Sequence, residues 1–600
     1  MEKQPVKLRV PVVVGDIQVN FCKNPACAHF GIPASNEKQS RGRGAKTAVG
    51  KDRYNVESHG KLTPLLVCSH CKERPFIKSN QAIHEELARF GAFLDHPGNP
   101  RFCPTLGCQN ATVPFDAEPR AYWRHTPTVA GNARYRCKRC RKVFTVVVPD
   151  PNKKPAWRQT VHGHKNFSIF KQLVTKAPLR SICEVNDIPY KSLLDHIAFI
   201  HKQCVAFSAA REQSLPGMDL GDLYLSVDRQ DYRINWSRTD DKRNVVLHGV
   251  GCADQASSYV FAMHLDFDPS VDIEVAEKAA LEHGDATLPL PFRRHARLWL
   301  TDDYRLAATA AKKRSSSAGS IMAAVDETYQ EAANRTDVEA FDRPSPNQRL
   351  PAKGMQVHAE YTLYGHFFFL RRLLAGARRL VFYLDQESGI RAACLAAFMQ
   401  DVRDRRCEAF YVRVNKELTI HEKHRRRTVA DSEMQAYVDI HPYLATLRVR
   451  DVRLHYLKEK LAGRIPVGPW RDEWLDYPFP DMSEPEKAIC WLTDRRDGGT
   501  TDDELAEMFL RGTLHPIDRF FMQIRRKLSP LERSIFSSSS SRRAWHAYAP
   551  YNPIMAVWLL DIYRTYYNFV KVGKDHQTPA MRIGLAKAPV PLKDVIYFTS

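Results

Sequence analysis

The sequence predicts a multidomain α/β protein, and three observations carry that expectation. Eight cysteines before residue 141 fall into four close pairs. Two strand-like runs far apart in the chain each lead to an aspartate, and strand-like and helical stretches alternate between residues 215 and 545. At 600 residues the chain is too long for a single core. Lys plus Arg number 89 against 68 Asp plus Glu, a formal charge of +21, which suits a polyanionic partner such as nucleic acid. No apolar run approaches the ~20 residues of a membrane span. The opening MEKQPVKLRVPVVV lacks the apolar core and small-residue cleavage site of a secretory signal. The expectation is therefore a cytoplasmic, nucleoid-associated protein with no membrane segment, whose 14 cysteines are reduced thiols or metal ligands.

The cysteine pairs repeat one layout. Cys22 and Cys27 (FCKNPAC) precede Cys68 and Cys71 (VCSHC); Cys103 and Cys108 (FCPTLGC) precede Cys137 and Cys140 (RCKRC). A wide pair and then a tight pair, each at a turn beside strand-like residues, is zinc-ribbon spacing: two knuckles present four thiolates to one Zn²⁺. Two ribbons are expected, over 1–90 and 91–150, with a structural role. Lys138, Arg139, Arg141 and Lys142 surround the last knuckle and are candidates to meet phosphates, with a solvated face as the plain alternative.

After a proline-containing linker from Val148 to Pro155, residues 156–205 read as a helix-turn-helix. Phe167, Phe170 and Val174 have helical spacing, and Pro178 suits the first turn of a helix over Leu179 to Val185. Asn186 and Asp187 form the turn. Pro189 then opens a third helix with Leu193, Leu194 and Ile197 inward. This arrangement puts Tyr190, Lys191 and Ser192 at the exposed start of a DNA-recognition helix, although any small helical bundle gives the same pattern.

Residues 215–545 carry the expected catalytic core. Leu223 to Val227 leads to Asp228, and Asn244 to Ala253 and Ser258 to Phe267 are two further strands. A helix over Val357 to Leu374 stops at Gly376. A fourth strand, Leu380 to Leu384, ends on Asp385 just before the helical stretch Ile390 to Phe398, and Ala409 to Val414 is the fifth strand. This is a ribonuclease-H-like order: a mixed five-stranded sheet in which the first and fourth strands lie side by side and share a metal between Asp228 and Asp385. The competing reading is a strand-end acid that caps the next helix, because QESGI follows Asp385 directly. Asp231, Asp302, Asp303 and Glu387 read as solvated or loop acids, and His358 and His366 as core histidines. KKRSSSAGS, NRTDVEAFDRPSPNQRLPAKG and Ser537 to Ser541 read as loops. A mostly helical, basic insertion is expected over about 419–514 and a helical tail over 546–600.

Zinc ribbon, helix-turn-helix, then acids on the first and fourth strands: this order resembles the DDE transposases of bacterial insertion sequences, in the retroviral-integrase superfamily. The resemblance implies a third acid, usually Glu, opening a helix in a pattern like E-x-F-F-x-x-L-K. HPIDRFFMQIRRKL puts Asp518 at that place, with Phe520, Phe521, Ile524 and Arg525 matching the rest; Asp for Glu is a departure, and Glu532 in LSPLER is the fallback. Arg525 shares a flank of that helix with Asp518 and counts among the DNA-contacting candidates. The resemblance further implies Mg²⁺ or Mn²⁺ at the acids, Zn²⁺ at the cysteines, double-stranded DNA (element ends and target) as partner, and a homo-oligomer. Two rival readings remain: a DNA-binding regulator with an inactive core, and a ribonuclease-H-like nuclease that cuts without joining.

Overall fold

A computed structural model describes residues 8–36, 53–57, 63–95, 103, 108, 110, 119–127, 133–146, 163–235, 240–310, 344, 348–387, 389–468, 471–533 and 548–598. The chain begins with a two-stranded antiparallel sheet, β1 (Tyr54–Glu57) with β2 (Leu65–Cys68). A three-stranded one follows, made of β3 (Tyr122–His125), β4 (Ala133–Cys137) and β5 (Val143–Val146). Next come the helices Asn166–Leu173, Leu179–Asn186 and Tyr190–Glu212. Asp187 closes the second of these in the left-handed region at φ 47°, which lets the chain turn tightly into Pro189. The strands that follow are β6 (Asp222–Ile234), β7 (Val245–Asp254), β8 (Val260–Leu265), β9 (Phe267–Asp268), β10 (Met355–Gln356), β11 (Arg379–Asp385), β12 (Cys407–Val414), β13 (Ile465–Val467), β14 (Asp472–Asp476) and β15 (Lys487–Trp491).

Eight of these form one mixed sheet in the order β13-β14-β15-β12-β11-β6-β7-β8. The central pairs β6–β11 and β11–β12 are parallel, and the remaining neighbours are antiparallel. The sheet thus has eight strands where five were expected. The region 419–514 is helical in Ile420–Ile440, Val449–Leu461 and Asp502–Leu510, but it also supplies β13, β14 and β15, which extend the sheet beyond β12.

The unbroken apolar run in β11 follows from burial on both faces. Leu380, Phe382 and Leu384 belong to one core, which also holds the helices Ala359–Leu373 and Ile390–Ala397. Val381 and Tyr383 belong to another, with Leu505, Met508 and Phe509 of the Asp502–Leu510 helix. β12 alternates in the same way, Ala409 and Tyr411 against Phe410 and Val412. Fully burying each such side chain stabilises by about 1.5–3 kcal/mol, so the middle of this sheet is a rigid platform.

Two expected boundaries fall inside continuous structure. Residue 90 lies within the helix Asn80–Asp95, whose Glu86 and Phe90 stand against Gly365 of the Ala359–Leu373 helix. Residue 205 lies within Tyr190–Glu212, which packs against the tail helix Ile554–Thr565; Arg564 reaches Glu212 at 2.6 Å. The linker 148–155, KKRSSSAGS, most of NRTDVEAFDRPSPNQRLPAKG and Ser537 to Ser541 lie outside the described residues. Among the described residues, no helix is long and apolar enough to cross a membrane.

Candidate active site and metal centres

The cysteines meet as two tetrads, Cys22 with Cys27, Cys68 and Cys71, and Cys103 with Cys108, Cys137 and Cys140. In the first, Cys22 Sγ lies 3.4 Å from Cys71 Sγ and Cys27 Sγ 3.7 Å from Cys68 Sγ; in the second, the Cys103–Cys140 and Cys108–Cys137 separations are 3.3 and 3.6 Å. Four sulfurs at Zn–S ≈ 2.3 Å in a tetrahedron stand roughly 3.8 Å apart, and none of the eight is in a disulfide. The donor set and spacing suit a metal ion such as zinc. Metal analysis of purified protein is expected to return two zincs per chain; fewer would contradict the pairing.

The two tetrads differ in their surroundings. Cys22, Cys27 and Cys68 belong to the same hydrophobic core as the main sheet, whereas Cys103 and Cys137 share a small core of their own with Tyr122. The first tetrad is tied to the sheet by buried ion pairs. Glu73, 3.5 Å from Cys22 Sγ, accepts from Arg391 at 2.8 Å, the two side chains being 1% and 3% exposed. Arg391 also donates to the Lys23 carbonyl, and Lys78 pairs with Glu360. Arg391 is the second residue of the helix that follows Asp385, so this tetrad braces the acid-bearing end of β11.

Asp228 and Asp385 are neighbours across the two central parallel strands. The parallel register pairs Leu384 with Val227, and the next residue on each strand is the aspartate. Asp385 is the last residue of β11, as expected, and Asp228 sits within a 13-residue strand, because RQDYRI continues β6 paired with β7 to Ile234. Glu387 joins them: one oxygen of each of the three carboxylates lies within 4.8 Å of the others. It had read as a loop acid; the turn after β11 folds it back, and Arg229 Nε holds it at 3.3 Å.

The helix His515–Lys527 lies across this cluster because Gly251 lets it approach. Gly251 is the register partner of Asp228, and a Cβ there would stand 2.7 Å from Ile517 Cδ1. Asp518, in the first turn, meets Lys416 Nζ at 2.6 Å, and Lys416 follows the end of β12. Glu532 stays apart. It lies beyond the far end of that helix, which runs on about 14 Å past Asp518, and pairs with Lys176 at 2.9 Å.

Burial first, then the nearby Asp385, Glu387 and Asp518 charges, hold the Asp228 carboxyl well above the usual carboxylate range. Burial also raises Asp385, against the pull of Arg413 and Lys416. Burial pulls the Lys416 ammonium down, but Asp518, Asp228 and Asp385 more than offset it and raise its pKa. Carboxylates gathered in a buried cluster, with Asp228 and Asp385 raised despite the nearby Lys416, Arg413 and Arg229, are an arrangement that a cation relieves. Sequence reasoning missed Glu387, Arg229 and Lys416. LDQE places Glu387 two residues after Asp385, a visible signal, whereas Lys416 becomes meaningful only once β12 lies beside β11.

Compared with known proteins, the chain matches no family model, no curated protein and no solved structure. The sequence candidates at the start of the third helix and around the last knuckle lie mostly at the surface. Tyr190 and Lys191 are exposed and Ser192 half-buried at the start of their helix, and Lys138, Arg139, Arg141 and Lys142 are exposed around the last knuckle. Arg525 is turned to Gln230 of β6. Asp231 pairs with His248, and Asp303 with Arg293. His358 and His366 are buried, and burial lowers both to about 3, consistent with neutral core residues.

Proposed function

We propose that the chain is a DNA transposase with a ribonuclease-H-like core, which cuts and joins strands at the acid cluster. The observation that carries this reading is Asp228 and Asp385 side by side on the central parallel strands, with Glu387 among them and Asp518 across from them. The order β12-β11-β6-β7-β8, parallel at its centre and antiparallel beyond, supports it, as do the tetrads and the three helices that precede the sheet.

The donor set, carboxylate oxygens alone, fits hard divalent cations such as Mg²⁺ or Mn²⁺. When bound, such ions activate the attacking oxygen and steady the leaving one in phosphoryl transfer. The chain's own residues do the positioning. Asp228 and Asp385 present their carboxylates from a rigid sheet, and Arg229 orients Glu387. Lys416 holds Asp518 at the cluster and offers an ammonium to a nearby phosphate oxygen. Tyr190, Lys191 and Ser192, at the start of their helix, are the residues that would read a major groove. The test is incubation of the zinc-loaded chain with DNA fragments spanning the two flanks of its gene, where terminal inverted repeats are expected, plus Mg²⁺. Nicking at the repeat end and joining to a target plasmid are expected. Cutting without joining points to a nuclease, and end binding with no metal-dependent nicking on any substrate overturns the reading.

Gly251 gives a second check. Gly251→Val drives a branched side chain into Ile517 and Phe521, which typically costs about 1–3 kcal/mol and lifts Asp518 from the cluster. A displacement of that kind is expected to slow cleavage roughly 10²-fold while leaving both zincs in place, read by a cleavage time course beside metal analysis.

A further inference from the structure

The second cysteine tetrad carries an exposed aromatic ring that strand cutting does not use. Strand alternation sends Tyr122 inward, where its hydroxyl accepts from the Cys103 N–H and donates to the Asn110 carbonyl, and sends Trp123 outward, where it remains 42% exposed. Three cations stand around the indole: Arg141, Lys138 and Arg136, at 5.1, 5.6 and 5.9 Å from its centre. Arg136 is the cross-strand partner of Trp123, and Arg141 adopts the left-handed conformation at φ 63° in the turn after Cys140. Among the described residues, none of the three makes an ion pair. Between positions 119 and 146 the chain has eight arginines and lysines and no aspartate or glutamate.

A protein surface does not need a tryptophan here, and crowding three like charges around it is unfavourable without a counter-charge. A polyanion that also carries flat apolar rings satisfies both features. We infer that Trp123, framed by Arg136, Lys138 and Arg141, is a stacking platform for an unpaired base of single-stranded DNA, the cations taking the flanking phosphates. In an intact duplex each base face is already stacked on its neighbours, so the ring selects unpaired strands. The cation–π contacts hold the three side chains in place around the ring before DNA arrives. This inference rests on the reading of DNA as the partner; it does not need the acid cluster to be active.

The test is fluorescence anisotropy of a labelled ~20-nucleotide single strand, and of its duplex, against the zinc-loaded full chain without divalent metal. Trp123→Ala is expected to weaken single-strand binding roughly tenfold and duplex binding less than twofold, whereas Trp123→Phe retains most of the affinity. The triple change Arg136→Ala, Lys138→Ala, Arg141→Ala is expected to weaken both and to reduce the single-strand salt slope by about 2. Unchanged single-strand binding by Trp123→Ala, or an equal loss on duplex, overturns the platform; tighter binding of RNA of the same sequence overturns the assignment to DNA. If Trp123→Ala loses zinc, Trp123→Phe together with Arg141→Glu decides: Arg141→Glu must weaken single-strand binding at least as much as the triple change. Because the assay involves no cutting, platform and cleavage can each fail while the other stands.

Discussion

Asp228→Asn and Asp385→Asn are each expected to reduce metal-dependent DNA cleavage on the order of 10³-fold or more, the scale lost when a charge-stabilising group leaves an active site. Neither should unfold the protein. The ionised form of Asp228 is disfavoured by burial and by its acidic neighbours, so its folded pKa lies above the unfolded value near 3.9. A carboxyl raised in this way is neutral in both states at low pH and costs stability as pH rises past the unfolded value toward the folded one. Asparagine removes that cost, and Asp228→Asn should therefore melt at or above the wild-type temperature at pH 7 while being inactive. A merely structural carboxylate would show the opposite, retained activity with lost stability. Asp518→Asn should also be strongly impaired, and Glu532→Gln should stay within about twofold, because its partner Lys176 is on the helical region and away from the cluster. Cleavage rates and thermal melts on the same preparations separate these outcomes.

The second large effect is expected at the first tetrad. Cys68→Ser should destabilise the main sheet, because Cys68 shares its core and because Glu73 and Arg391 tie the tetrad to the helix after Asp385. Structural zinc sites contribute folding free energy directly. Cys137→Ser, in a tetrad with a separate small core, should lose one zinc and leave the melting of the sheet essentially unchanged. Within the brace, Arg391→Met strands Glu73 as a buried, unpaired charge, which typically costs about 3–5 kcal/mol. Adding Glu73→Gln should recover a large part of that loss. Equal melting of Cys68→Ser and Cys137→Ser would contradict the brace.

Much of this organisation was legible because its signals are local. The cysteine spacings announce two tetrads, and LVFYLD announces a buried strand that ends in an acid, since a short unbroken apolar run rich in β-branched and aromatic residues suits a strand covered on both faces. Pro178, Asp187 and Pro189 mark the three helix boundaries through their backbone preferences. What stayed hidden depends on contacts between distant segments. β13, β14 and β15 are short and lie in a basic, helix-rich stretch, so nothing local separates them from loops. Beyond Asp228 the strand character of RQDYRINW was visible, but not how far that polar strand runs. The strand continues there because pairing with β7 satisfies its backbone, whatever its side chains prefer. Glu387 read as solvated because a turn after a strand usually is, whereas its ion pair with Arg229 links it to the cluster. That Asp518 rather than Glu532 faces the aspartates depends on helix placement, and Gly251, more than 260 residues away in the chain, permits that close approach.

Mn²⁺ binding to the zinc-loaded chain, followed by paramagnetic resonance or calorimetry, tests the central claim most directly. A Mn²⁺ site is expected in the wild type that is lost in Asp228→Asn and in Asp385→Asn, competed by Mg²⁺, and unchanged in Glu532→Gln with both zincs retained. A wild-type chain that takes up no Mn²⁺ beyond its cysteine sites, or uptake indifferent to Asp228→Asn and Asp385→Asn, would contradict it.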